Sequence, residues 1–422
     1  MINNIKDVLI NNLINSTVNK AFDSSVKIIK TSKEDNKFNH LNKDASYLLY
    51  IHIPFCDNLC PFCTFHKYKY DHKKSIKYFK NLRKEIRVLK SYNTKIDSIY
   101  IGGGSPLINE VEIIKTIKLL KELFDVDDIS CETDPNHIEL ETVKKLKGLV
   151  KRLSIGVQSF DNEILKKLSR YDRFGNDKEL IRKIKNITRI LPITNVDLIF
   201  NLPNQTEASL RKDLEIAKNL EVEQITTYPL MSSTLNSKFI NRFQANQNKE
   251  KFYYLICDIL KDYHMNNMWS FSKECVEILN DEYVSNHNEY IGLGSGGFSY
   301  LEGNLFVNSY DLDNYEKLLN KRKDTIIAKS TFNKKEVIQY YFLCTLFSGS
   351  FNIKKYYETF NIDLEKYLKK ELFLIKKLDF VYEKEDVLYL TKKGQYVLTV
   401  IMANFYSKMD KVRAIFKSGQ IV

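Results

Sequence analysis

Three cysteines within eight residues, Cys56, Cys60 and Cys63 in the run CDNLCPFC, carry the strongest chemistry in this 422-residue chain. Thiolates ligate iron–sulfur clusters, and a four-iron cubane normally takes four of them. One loop supplies three here and no nearby cysteine completes the set, which leaves one iron open to another ligand. Zinc is the competing reading, with His66 as a fourth donor. A second group is glycine-rich: Gly102, Gly103 and Gly104 carry no side chains, so a ligand can approach the backbone closely and meet its N–H and C=O groups. Glu132 and Asp197 stand at the ends of apolar segments, where an unpaired carboxylate is costly and calls for an ammonium, hydroxyl or salt-bridge partner.

These residues sit at the ends of repeating units. Apolar, β-branched segments at 47–53, 98–103, 129–133, 152–158, 195–201 and 224–230 alternate with amphipathic stretches at 75–89, 111–123, 140–149, 162–187 and 209–220. Six strand–helix repeats with short connections predict an α/β fold, a partial (β/α)6 barrel whose site lies where the loops after the strands converge. The pattern divides the chain into a helix and polar linker (1–45), the barrel (46–240), a barrel extension with a Gly-rich loop (241–330) and a small C-terminal domain (331–422). Helices followed by the hairpin-like run DFVYEKEDVLYLTKKG give that last domain a winged-helix-like character, with a final helix from Gln395.

Composition excludes several classes. Hydrophobic residues make up 43% of the chain, enough for a large core. The 65 Lys and Arg against 53 Asp and Glu are scattered rather than blocked, which argues against nucleic-acid binding and suits a solvated surface or an anionic ligand. No apolar run reaches membrane-span length, and the first twenty residues show no secretory pattern. Seven cysteines, an odd number, point to a reducing, cytoplasmic setting; Cys131, Cys257, Cys275 and Cys344 read as buried free thiols.

The C-x3-C-x2-C spacing resembles the radical S-adenosylmethionine (SAM) signature, in which SAM chelates the open iron. The wider sequence resembles oxygen-independent coproporphyrinogen III dehydrogenases and their relatives, which include haem chaperones and anaerobic haem-degrading methyltransferases. The resemblance rests on Tyr50-Ile51-His52-Ile53-Pro54-Phe55-Cys56, Gly102-Gly103-Gly104-Ser105-Pro106, Glu132-Thr133-Asp134-Pro135, Ser154-Ile155-Gly156-Val157-Gln158-Ser159-Phe160, Asp197-Leu198-Ile199-Phe200-Asn201-Leu202-Pro203 and Ile291-Gly292-Leu293-Gly294. It implies a [4Fe-4S] cluster on Cys56, Cys60 and Cys63, a first SAM against Gly103, Gly104, Ser105, Glu132 and Asp197, and a second SAM met by Gln158 and Arg170. Tyr50 and Phe62 would flank the cluster and pack on the SAM molecules, while Phe298 and, more remotely, Met231 match other cofactor contacts. It also implies a tetrapyrrole substrate (haem or a porphyrinogen), a flavodoxin- or ferredoxin-type electron donor, and a 5′-deoxyadenosyl radical that abstracts hydrogen.

Two departures narrow the expectation. Phe65 stands where coproporphyrinogen dehydrogenases resemble C-x3-C-x2-C-x-C, and Ser169-Arg170-Tyr171-Asp172-Arg173 is similar to a run in the haem-degrading group. The expected activity is therefore radical methyl transfer to haem using two SAM molecules, with oxidative decarboxylation of coproporphyrinogen III and non-enzymatic haem carriage as alternatives. His287, in Ser285-Asn286-His287-Asn288, is a haem-contact candidate or an ordinary loop histidine.

Overall fold

The computed structural model describes residues 27–243, 248–274 and 289–417. Its centre is a run of parallel strands, β1 (Ser46–Ile53), β2 (Lys95–Gly103), β3 (Ile129–Thr133), β4 (Arg152–Gln158), β5 (Ile193–Phe200) and β6 (Gln224–Pro229), each paired in order with the next. Crossover helices include α1 (His72–Lys90), α2 (Glu110–Phe124), α3 (Leu140–Leu146) and, after β5, a helix at Glu207–Asn219. The six expected strands and the barrel-like α/β fold are thus present.

Strand parity decides what faces the interior. Along β1, Leu49, Ile51 and Ile53 join the core beneath the helices, with Phe79, Leu82, Ile86, Ile99 and Ile101. Leu48 and Tyr50 point the other way and pack with Tyr100, Trp269 and Phe347. Strands buried on both faces read as continuous apolar runs, as YLLYIHI does.

One expected helix is three. The stretch 162–187 breaks into α4 (Asn162–Lys167), α5 (Tyr171–Phe174) and α6 (Asp177–Lys185). Ser169 adopts φ +57° and Gly175 φ +96°, and each ends the turn before it, while Asn176 and Glu179 close a capping box that restarts the helix. The break turns Arg170 and Arg173 toward the cysteine loop, which one straight helix would not do.

The sheet continues beyond the barrel. Tyr290–Leu293 runs parallel to β1, followed by antiparallel Phe298–Leu301, Asn304–Asn308 and Ile326–Thr331, and Ser270–Ser272 with His264–Asn267 extends the β6 edge. In the C-terminal region a three-stranded sheet (Ser350–Asn352, Val387–Leu390, Val381–Lys384) packs with helices Lys334–Leu346, Ile353–Phe360 and Leu364–Lys377. The last helix, Lys392–Lys417, begins three residues before Gln395 because Thr391 Oγ1 accepts the Gly394 N–H. No helix among the described residues is long and apolar enough to cross a membrane. The expected helix at the N-terminus and the His287 segment lie outside the described residues.

A buried charged node fastens the N-terminal segment to the sheet. The Lys37 ammonium donates to Glu85 Oε1 (3.2 Å), Asn308 Oδ1 (2.8 Å) and the Gly292 carbonyl (3.0 Å), with no solvent exposure of either ion. Glu85 also accepts from Tyr315 OH, Thr325 Oγ1 and the Gly294 N–H. Removing Glu85 leaves the buried Lys37 ammonium with only the more distant Asp324 carboxylate, at 3.9 Å. Glu85→Ala should therefore cost about 3 to 5 kcal/mol, read as a lowered denaturant midpoint. A midpoint equal to that of the parent chain would show that the node contributes nothing net.

Candidate functional site

The cysteine loop leaves β1 at Pro54 and is pinned at both ends. Tyr68 N–H donates to the Pro54 carbonyl (2.6 Å) and Tyr70 N–H to that of Cys56 (2.8 Å). The Lys67 ammonium holds the carbonyls of Cys60 (3.3 Å) and Cys63 (2.9 Å). All three thiols are half-buried on the wall of one cavity of about 220 Å³. Burial, with the sulfurs of Cys63 and Cys60 nearby, pushes the Cys56 thiol up to about 12, so a free Cys56 keeps its proton at neutral pH.

This donor set suits a multi-iron cluster better than zinc. Two thiolates on one tetrahedral zinc lie roughly 3.8 Å apart, given Zn–S bonds of about 2.3 Å. Among the described residues, the one group of three metal-type ligands within 4.8 Å of one another is Asp57, Asp134 and His137, which contains no cysteine. His66 does not join the thiols: its Nε2 meets Ser295 Oγ at 3.2 Å and its ring lies edge-on to Tyr310, outside the cavity wall. A side chain at Gly296 would collide with that ring, which is how His66 is admitted there.

The glycine loop passes directly beneath the thiols. Gly104 N–H donates to Ile53 O (2.8 Å) and Ser105 N–H to Phe55 O (2.7 Å). A Cβ on Gly104 would crowd the Phe55 carbonyl and come within 3.0 Å of Cys56 Sγ; on Gly103, where φ is +116°, it would strike the His52 ring. Glu132 is half-buried and accepts from Tyr100 OH (2.7 Å) and Gly103 N–H (2.9 Å). Asp197 accepts from Ser154 Oγ (2.9 Å) and Asn195 Nδ2 (2.7 Å). The demand of both carboxylates for partners is met inside the protein. Burial still raises both above the usual carboxylate range, the Asp197 charge adding to the effect on Glu132.

Gln158 ends β4 at φ +78°, where the pairing with β5 slips by one residue. That unusual backbone is secured from behind by Asp213, which accepts from Ser159 Oγ and from the Phe160 N–H, each at 2.7 Å. Arg170 donates to Cys60 Sγ (3.5 Å) and to the Gly156 carbonyl. Tyr50 OH meets His52 Nδ1 at 2.9 Å, and Phe62 packs beside Phe239.

The cavity wall includes Tyr50, Phe62, Gly103, Gly104, Ser105, Glu132, Gln158, Arg170 and Asp197 with the three cysteines, and Met231 as well. Phe298 is buried on its strand, off the cavity wall, with its ring 5.6 Å from the Arg413 guanidinium. Sequence reasoning missed Tyr100, Lys67, Arg173, Asp134, Tyr228, Trp269 and Tyr406, which also line the cavity. Asp134 and Arg173 stood inside quoted motifs. Trp269 and Tyr406 reach the cavity from distant segments and had no local signal.

The Asp57–Asp134–His137 group is an ion-pair network rather than a metal site. Arg173 already occupies Asp134 Oδ2 at 3.0 Å, Ser105 Oγ donates to the same oxygen (2.5 Å), and His137 bridges Asp134 (2.9 Å) and Asp57 (3.5 Å). Burial alone would raise the Asp134 carboxyl, but His137, Ser105 and Arg173 outweigh it and hold it well below the usual range. His137 is in turn raised: burial opposes its charge, and the two carboxylates overcome that.

A family model described as the radical SAM superfamily matches residues 50–217. The chain is 24% identical over 382 residues to "Heme chaperone HemW" of Bacillus subtilis, covering 85% of this chain and 99% of that protein. It is 28% identical over 391 residues to the oxygen-independent coproporphyrinogen III oxidase of Helicobacter pylori, covering 85% and 84%. The solved structure of coproporphyrinogen III oxidase HemN from Escherichia coli superposes with a TM-score of 0.74 at 21% identity, over 88% of this chain and 94% of that one, a likeness of fold.

The support behind Gln158 has a pH signature. Burial raises the Asp213 carboxyl to about 7, above its ordinary value of 3.8. The folded state therefore holds that proton more tightly than the unfolded chain. Its stabilising contribution is complete below 3.8 and is lost as pH rises through about 7. Relative to Asp213→Asn, which keeps a neutral amide at the site, the parent chain should lose about 3 kcal/mol of stability between about pH 5 and about pH 8. Urea titrations of both proteins across that range measure the difference; parallel pH curves would rule the effect out.

Proposed function

We propose, on the premise that residues 50–217 form a radical SAM superfamily domain, that this chain is a radical SAM enzyme acting on a tetrapyrrole. Radical SAM proteins use a [4Fe-4S] cluster and SAM; together these supply one-electron cleavage of a sulfonium and hence a carbon radical that abstracts hydrogen. The observation that carries the proposal is the convergence of Cys56, Cys60, Cys63, Gly103, Gly104, Glu132, Gln158, Arg170 and Asp197 on one cavity.

The roles follow from position. Cys56, Cys60 and Cys63 hold the cluster, and Lys67 fixes the loop through its carbonyls. Gly103 and Gly104 admit the amino-acid end of SAM against the backbone, with Glu132 at hand for its ammonium group. Gln158 and Arg170, on the wall of the same cavity, are assigned to a second SAM. Tyr50, Tyr100, Phe62, Tyr228, Trp269 and Tyr406 form an apolar and aromatic wall that excludes water and suits a flat conjugated ring.

The finer reading is methyl transfer to haem. It is supported by Phe65, which stands beside the thiols as a phenyl ring 41% exposed and 5.1 Å from the Arg413 guanidinium. A ring there packs and excludes water; it neither donates hydrogen nor ligates as a thiol would. Haem carriage is the second reading, favoured by the match to nearly the whole length of a protein named as a heme chaperone.

Cluster loading is the first test. Cys56→Ala, Cys60→Ala and Cys63→Ala should each abolish the charge-transfer absorption near about 400 nm after anaerobic reconstitution. Cys131→Ala, Cys257→Ala and Cys344→Ala should keep it. Normal iron and sulfide content in the triple variant would remove the site assignment.

Turnover is the second. Reconstituted protein with dithionite, SAM and either haem or coproporphyrinogen III is followed for 5′-deoxyadenosine and tetrapyrrole mass. A haem product heavier by a methyl group or with an opened ring is expected, with coproporphyrinogen III unchanged. Loss of two carboxyl groups from coproporphyrinogen III would assign decarboxylation instead, and stoichiometric haem binding without turnover would assign carriage.

A further inference from the structure

We propose that Arg173 sets the redox poise of the cluster site, acting with Arg170 as a fixed pair of positive charges at the Cys60 sulfur. The inference rests on the reading that Cys56, Cys60 and Cys63 hold a [4Fe-4S] cluster, and it concerns a residue to which that reading gives no role.

The pair is built by the helix break. The left-handed Ser169 redirects the chain so that Arg170 caps the one-turn helix Tyr171–Phe174 and Arg173 stands in its last turn. Both guanidinium carbons lie 4.3 Å from the centroid of Phe174, whose buried ring locks their planes. Arg170 reaches Cys60 Sγ at 3.5 Å and Arg173 reaches the same sulfur at 4.0 Å. Arg173 also donates to the Asn58 carbonyl (3.2 Å) on the cysteine loop and to Asp134 Oδ2 (3.0 Å).

Three physical features make this arrangement act on redox chemistry. Both ions are largely removed from water, with side-chain exposure of 8% for Arg173 and for Asp134, so charge interactions there are weakly screened. An arginine stays protonated at any working pH, so its charge is constant. Hydrogen bonds to ligating sulfur and net local charge are the levers that set an iron–sulfur potential. The step concerned is one electron passed to the oxidised cluster from a low-potential one-electron donor, with no bond made or broken. That electron adds negative charge, which a nearby fixed cation stabilises and a nearby carboxylate opposes. Arg173 and Asp134 are therefore two levers of opposite sign on one position.

The test is an EPR-monitored redox titration of the reconstituted full-length chain. Arg173→Gln should lower the midpoint potential by at least a tenfold change in the reduction equilibrium, which for one electron is about 59 mV. Arg173→Lys, which keeps the charge, should recover more than half of that loss. Asp134→Asn should shift the potential upward. Opposite signs for Arg173→Gln and Asp134→Asn support an electrostatic role; shifts of the same sign, or a potential in Arg173→Gln equal to the parent's, would overturn it. Should Arg173→Gln fail to load a cluster, Arg173→Lys and Asp134→Asn decide alone: a Lys variant close to the parent with an upward shift in the Asn variant supports the proposal, and any other pair overturns it. A parent chain that takes up no cluster would overturn the cluster assignment itself, whereas a loaded parent with an unresponsive potential overturns only the role of Arg173.

Discussion

Parallel pairing of six strands in one inward parity is the constraint on which the site depends. In a strand, side chains alternate between faces, so a slip of one residue turns every inward group outward. The pairings Tyr50 with Tyr100, Glu132 with Ser154 and Gly156 with Asp197 put these residues at matching heights along the ends of neighbouring strands. Glu132 and Asp197 then share a buried interior, where burial raises both carboxyls. The interior is a polar layer, linked across strands from Thr226 through Asn195 to Ser154 and Asp197. An unpaired member of such a layer is expensive, so the layer is satisfied within itself and stands ready as a rigid floor.

On that floor, the loops divide the labour. The cysteine loop is held by backbone bonds and by Lys67, the glycine loop runs under it because it lacks side chains, and the β4 end is braced by Asp213. The Asp213 brace lies off the cavity wall, whereas Lys67 lines the cavity while holding the loop. The positive charges of Lys67, Arg170 and Arg173 gather around Cys60, while the Asp134 carboxylate on the cavity wall is itself tied to Arg173. A chain with net charge +12 thus concentrates cations where reduced metal and anionic ligands would sit, although its basic residues look scattered along the sequence.

The barrel does not finish the cavity. Trp269 arrives from the segment after β6, its ring 4.9 Å from Phe347 and 5.6 Å from Tyr406 of the last helix. Arg413, further along that helix, lies over Phe65 of the cysteine loop and pairs with Asp410. The C-terminal region therefore closes one wall. Trp269 and Tyr406, from outside the barrel strands, are part of that wall.

What the sequence determined by itself was local. Thiol spacing, the strand-end glycines, the strand alternation and the carboxylates at strand ends are each properties of a few consecutive residues, and periodicity or side-chain chemistry states them directly. The six strands and the strand-end positions of Gly103, Glu132 and Asp197 follow from that, whereas Gln158 and Arg170 were singled out only through the resemblance to a known family. Only the tertiary structure decided which partners meet. His66 is next to the thiols in the chain, yet a glycine more than two hundred residues away makes room for its ring elsewhere. Phe298 sits in a strand that resembles a cofactor contact, but its ring is buried behind the cavity. Arg173 reads as a helix-surface charge until the left-handed turn at Ser169 brings it to a sulfur 113 positions earlier in the chain. These contacts join segments far apart in sequence, and their geometry depends on the packing between elements, which no short stretch of residues encodes.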